Sequence, residues 1–259
     1  MRAQFVLNED YNSLKELHKV SFEIFSWFKE KNIKRLNPLK EDSDEFDIRN
    51  IVDSKKYEKI DKFIQSGIGL IYGDISDEEW QEAGAIIYPP DYKNVFTPES
   101  LEKYKVFKSG FIIFCSRENL LHELQHAYDY WISGGKNQRS GYNGLQGKIL
   151  SNSGINYDAE VAKYYLDPVE LSAYFSEAIS GHYWAGLEKT WEKKNRDYIF
   201  YDWDDQLYWF KKGFKPWEYI SESQKKKYIN KFYIYYSKVK EIWGSEGLDG
   251  LKKRNLKIR

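Results

Sequence analysis

Four histidines stand in a chain of 259 residues, and two of them flank a glutamate in the string Leu121-His122-Glu123-Leu124-Gln125-His126. Residues four apart on an α-helix share a face, one turn above the other, so His122 and His126 can each present a nitrogen to a single metal ion. Glu123 falls about 100° further round the helix axis, beside such an ion rather than on it. From there a carboxylate can take a proton from a water at the metal. The pattern is that of zinc-dependent hydrolysis, with His122 and His126 as ligands, Glu123 as general base and Zn2+ as cofactor.

Two imidazoles leave a catalytic zinc one protein ligand short. A third histidine in the HExxHxxGxxH arrangement requires Gly at 129 and His at 132, where this chain has Asp129 and Ile132, and that class is excluded. A glutamate on a later helix is the other common solution. Glu170, in Asp167-Pro168-Val169-Glu170, is the first choice. Asp167 and Glu170 also have the spacing of a capping box, in which Glu170 would fold back onto its own helix N-terminus. Glu177, two turns further along the same face, is the next carboxylate candidate and Glu160 a lesser one, while His182 would complete a three-histidine site. His18 lies on the charged side of the first helical segment and reads as a surface residue. Asp129 faces roughly the side of His122 and His126; it is either a carboxylate holding a ligand imidazole by its second nitrogen or an ordinary helix-end acid. Tyr130, Tyr174 and Arg139 are the candidate donors to a tetrahedral oxyanion.

The elements around these residues follow from periodicity and punctuation. Leu14, Leu17, Phe25, Phe28 and Ile33 recur at helical spacing over 10–36, and Asn37-Pro38 ends that run. The acidic stretch 41–45 lacks calcium-loop spacing and reads as solvated loop. A second helix is expected over 53–66, with Tyr57, Ile60 and Ile64 on one side and Gly67 as its stop. Ile68–Ile71, Ala85–Tyr88 and Phe111–Cys115 read as strands. The last leads into Ser116, a good N-cap, and then a buried helix from 117 to about 132 that ends at Gly134-Gly135. Phe111–Cys115 is the first candidate for an exposed edge on which an extended peptide could pair. The Gly-, Ser- and Asn-rich stretch 133–157 reads as a long loop over the site or an insert. Asp167 caps a further helix with Pro168 as its first residue. Beyond Gly181 the chain is aromatic and basic, and Tyr228, Phe232, Tyr235 and Val239 in a helix over about 221–243 read as a core stripe rather than a base-stacking surface.

Composition narrows the partners. Aromatic residues make up 18% of the chain, and 40 basic residues balance 40 acidic ones, so the global positive field of a nucleic-acid binder is missing. The single Cys115 allows neither an internal disulfide nor a cysteine-based zinc site. With no apolar leader and no run of about 18 apolar residues, the expectation is a cytoplasmic protein with no membrane partner. A nucleic-acid partner is not expected.

The strings Leu120-Leu121-His122-Glu123-Leu124-Gln125-His126-Ala127-Tyr128-Asp129-Tyr130-Trp131 and Tyr165-Leu166-Asp167-Pro168-Val169-Glu170-Leu171-Ser172-Ala173-Tyr174 resemble the active-site helix and third-ligand helix of zincin metallopeptidases of the gluzincin type. They are similar in particular to uncharacterised metallopeptidases of phage and bacterial genomes. The resemblance covers about residues 111–178. It implies zinc held by His122, His126 and Glu170, with Glu123 as general base and acid, and a peptide or protein as substrate. The expected fold is α+β and zincin-like, a small sheet packed on a buried active-site helix with helical additions at both ends. A single domain over 1–259 is expected, with a helical N-terminal segment over 1–66, a zincin core over 67–185 and an aromatic-rich helical C-terminal segment over 186–259. The alternative is a non-catalytic interaction or virion-associated protein whose site is structural or vestigial; a nucleic-acid-associated zinc protease rests only on the Lys-rich C-terminal third.

Overall fold

The computed structural model describes residues 11–31, 46–72, 85–95, 97–114, 116–136, 164–179 and 203–237. The described residues form a mixed fold, mostly helical with one small sheet, and the chain divides into two compact units, Met1–Ser180 and Gly181–Arg259.

In the first unit the strands are β1 (Gly69–Tyr72), β2 (Ala85–Ile87) and β3 (Phe111–Phe114), close to the expected runs. Their spatial order is β1-β3-β2, with β1 parallel and β2 antiparallel to β3. Leu70, Ile112 and Ile86 lie in one row across the sheet. Successive side chains of a strand point to opposite faces, and β3 uses both. Ile112 and Phe114 enter the main core, while Phe111 and Ile113 enter a second cluster with Tyr92, Tyr104 and Phe107. This two-sided burial also corrects the expectation of an edge: β3 is paired along both sides and is the central strand. Its all-apolar Phe-Ile-Ile-Phe sequence suits that position, since each face must meet a packed layer. Among the described residues β1 and β2 are the outer strands; β1 meets Asp47 in a single antiparallel bridge at Gly69, and β2 has no second strand partner.

Helices cover both faces. The first unit contains α1 (Tyr11–Glu30), α2 (Ile48–Ile51), α3 (Asp61–Gln65), α4 (Tyr92–Val95), α5 (Pro98–Tyr104), α6 (Arg117–Ile132) and α7 (168–179). Leu17, Val20, Ile24 and Phe28 of α1 pack with Leu120, Leu121, Leu124 and Ala127 of α6 over the inner sheet face. Phe28 is a hub, edge-on to Phe114 at 5.3 Å and in ring contact with Phe46 and Tyr72. Fully burying one such ring stabilises by roughly 1.5–3 kcal/mol. The smaller α4 and α5 supply the opposite face.

One expected helix comes out as given and one does not. α1 spans Tyr11–Glu30, with the Lys31 N–H bonding the Trp27 carbonyl at 3.0 Å, and the remainder of the expected run over 10–36, including Ile33, lies outside the described residues. The expected helix over 53–66 is interrupted: a 3-10 turn at Ser54–Lys56 precedes α3. The cause is Glu16 on α1, whose carboxylate accepts from the backbone N–H groups of Glu58, Lys59 and Ile60 at 3.2, 2.8 and 3.2 Å. Tyr57, Ile60 and Ile64 are nonetheless all buried, and Gly67 ends the segment at φ +80°.

The second unit contains α8 (Trp203–Gly213), a 3-10 turn at Lys215–Glu218, and α9 (222–237). Ser221 and Gln224 form a reciprocal cap, each side chain bonding the other's backbone N–H. Phe210 stacks on Phe232 at 4.4 Å with Trp203 beyond it, and Tyr228, Phe232 and Tyr235 are buried, so the aromatic period of α9 is core packing. No helix among the described residues is long and apolar enough to cross a membrane.

Candidate metal centre

The HELQH segment sits in the first half of α6. Ser116 caps this helix, its hydroxyl accepting the Asn119 N–H at 3.1 Å, and Gly134 and Gly135 end it at φ +63° and +81°. Those left-handed conformations cost glycine little and other residues more. Leu120, Leu121, Leu124 and Ala127 fix the helix to the core, and His122, Glu123, Gln125, His126 and Asp129 are buried as well. A helix buried on nearly every side has to satisfy its polar groups within the protein.

The partners come from α7. Asp167 caps it, accepting the Val169 N–H at 2.8 Å. Its own N–H bonds the Tyr164 carbonyl at 3.1 Å, so the donor that a capping box would offer to Glu170 is already engaged. Glu170 turns instead to the histidines, with 1% of its surface exposed. Its Oε2 lies 3.4 Å from His122 Nε2 and its Oε1 3.4 Å from His126 Nε2. One donor atom from each of the three residues lies within 4.8 Å of the others.

These separations fit coordination better than direct hydrogen bonding. A good N–H···O bond spans about 2.7–3.2 Å. Donors on a tetrahedron with bonds of about 2.0–2.1 Å sit roughly 3.3–3.4 Å apart, the spacing of each imidazole from its own nearer Glu170 oxygen. Two imidazoles and a carboxylate, buried and convergent, are thus placed to bind a metal ion. The arrangement of His122 supports this. Its Nδ1 lies 3.2 Å from Glu177 Oε2, so a proton on Nδ1 is held by that carboxylate and the Nε2 lone pair is left facing Glu170 and His126. Tyr174 stands edge-on to the His122 ring at 4.6 Å and fixes its plane.

Glu123, the remaining residue of the motif, is 4% exposed, and its Oε2 has no hydrogen-bond partner among the described residues. A buried carboxylate oxygen with an open acceptor position is costly unless a water or ligand meets it.

A polar clamp holds the two helices in register. Ser176 Oγ donates to Gln125 Oε1 at 2.9 Å, and Gln125 Nε2 donates to Asp129 Oδ1 at 3.0 Å. The carbonyl of Ser176 accepts from His18, which is buried at 1% exposure rather than on the surface. Burial pushes the His18 pKa down to about 3, opposed by that carbonyl bond and reinforced by nearby Arg117. α1 thereby reaches the helix that carries Glu170 and Glu177.

Among the other expected residues, Glu177 holds the outer nitrogen of His122, and Asp129, expected to hold one of the two imidazoles or to be an ordinary helix-end acid, accepts from Gln125. Tyr174 is at the site; burial raises its hydroxyl pKa, and that hydroxyl meets Tyr164 at 3.3 Å. Tyr130 lies one turn beyond His126 and packs on Tyr88 with ring centroids 4.8 Å apart. Arg139, Glu160, His182 and most of the stretch 133–157 lie outside the described residues. The clamp through Gln125 and Ser176 has a sequence signal in the run of polar positions His122, Gln125 and Asp129 on one side of a helix that is otherwise buried in apolar residues. No family model, curated protein or solved structure matches this chain.

Proposed function

We propose that the protein is a zinc-dependent peptidase of the zincin kind, with His122, His126 and Glu170 as ligands and Glu123 as general base. The observation that carries this is the convergence of Glu170 on both Nε2 atoms while Glu123, one residue from His122, keeps a buried oxygen open. The donor set favours zinc: two neutral imidazoles and one carboxylate match three-ligand catalytic sites of that ion, and the chain offers no thiolate pair for a closed one.

Zinc, when bound, supplies Lewis acidity that acidifies a water and polarises a carbonyl. Glu123 takes the proton of the attacking water as its oxygen bonds the carbonyl carbon; the same proton passes to the amide nitrogen as the C–N bond breaks. Glu177 keeps the His122 ring in the tautomer that leaves Nε2 free. On this reading the outer side of β2, which has no second strand partner among the described residues, offers backbone N–H and C=O groups to an extended peptide beside α6.

Purified protein should carry about one zinc per chain and hydrolyse a mixed unfolded-protein substrate. Glu123→Gln should leave zinc content unchanged and reduce turnover by about 10²–10⁴-fold. A zinc-loaded wild-type protein with no turnover would instead make the site structural.

A further inference from the structure

We infer that the cleft at the C-terminal end of α6 is a subsite for an acidic side chain of a peptide. Its place in catalysis rests on the peptidase reading; its charge preference rests on the cleft alone. The cleft has a volume of about 470 Å3, and Pro89, Pro90 and Tyr130 contribute to its lining. Lys93, Lys105 and Lys108 line it too, all three exposed. Lys105 is ion-paired with Glu102, whereas Lys93 and Lys108 have no ion pair among the described residues.

Tyr130 connects this cleft to the metal centre. It follows His126 by four residues, which puts it on the same helix face about 6 Å further along the axis. β2 leads to the same place, since Tyr88 packs in a tilted ring contact on Tyr130 and Pro89-Pro90 come next in the chain. A peptide paired on the outer side of β2, which no other described strand occupies, sends alternate side chains to one side, roughly 6.5–7 Å apart. A residue one or two positions from the scissile bond therefore reaches the cleft. The apolar walls suit the methylene stem of glutamate, and two ammonium groups without ion-pair partners attract its carboxylate and repel a lysine.

The test uses the full-length, zinc-loaded Glu123→Gln protein and end-blocked, fluorescently labelled Ala/Ser heptapeptides with a single Glu or a single Lys walked through every position. At one position the Glu peptide should bind about tenfold tighter than its Lys counterpart at low salt, from two screened contacts each worth a factor of roughly 1.5–5. The ratio should shrink at high salt. Adding Lys93→Glu and Lys108→Glu should reverse it, with zinc content and circular dichroism unchanged. Equal affinities at every position, no measurable binding, or a preference that survives the double charge reversal would each overturn the subsite. Wild-type hydrolysis of the mixed unfolded substrate, run alongside, separates the two ideas. Its absence sinks the peptidase reading and leaves the binding ratio readable, whereas hydrolysis without charge preference sinks only the subsite.

Discussion

Single side chains decide how the centre is held. Glu177 touches His122 on the nitrogen that faces away from Glu170, so it orients the imidazole and raises its basicity, which on the proposed zinc reading tunes a ligand. Glu177→Gln is expected to weaken zinc affinity about 10–100-fold with little change in the metal-free protein's stability, measured by competition with a chromophoric chelator. His18 acts at greater distance, through the Ser176 carbonyl. Its folded pKa of about 3 lies below the unfolded value of 6.5, so the unfolded chain binds the extra proton. Its stability contribution is therefore complete above about pH 6.5 and is lost as pH falls toward 3, at up to about 1.4 kcal/mol per pH unit. In urea unfolding of metal-free protein at pH 7.5 and 5, the wild type should lose about 2 kcal/mol more than His18→Gln, which cannot take up that proton. An equal loss in both would remove His18 from the account.

Elements owe their lengths to contacts made far away in sequence. Glu16 draws three N–H groups of 58–60 out of a continuous helix, and that choice fixes where α3 begins. Glu16→Ala should lower unfolding free energy by about 1–2 kcal/mol, read from the urea midpoint, because charge-assisted bonds to a partly exposed carboxylate are lost. Zinc content should not change, since α3 touches neither α6 ligand. The same logic applies to α7. Its start was readable from Asp167 and Pro168, but the direction of Glu170 was not: the spacing permitted a capping box until Tyr164 supplied the acceptor for the Asp167 N–H.

Across the first unit, the candidate metal site joins two helices distant in sequence. More than thirty residues of chain separate α6 from α7, and the clamp of Gln125 with Ser176 and the site of His122, His126 and Glu170 tie the two helices together. Metal that binds the folded state alone stabilises it by about 2.7 kcal/mol at a hundredfold excess over its dissociation constant. Stripping zinc with a chelator should therefore lower Tm by roughly 5–10 °C, and adding zinc back should restore it. A Tm indifferent to chelator would show that the two helices are fixed without the ion.

The amino-acid sequence alone determined α6 with both its ends, the strand positions and the cap of α7, because each is written in neighbouring residues: Ser116, Gly134-Gly135, Asp167-Pro168 and the apolar periods between them. It also named His122, His126 and Glu170 as a possible set. Tertiary structure decided what depends on pairing across the chain. It placed β3 in the centre of the sheet, buried His18, set Glu177 on the outer nitrogen of His122, and decided between the two partners open to Glu170 in favour of the histidines. A strand's neighbours and a carboxylate's partner are chosen by whichever complementary group the folded chain brings within a few ångströms, and local spacing carries no record of that group.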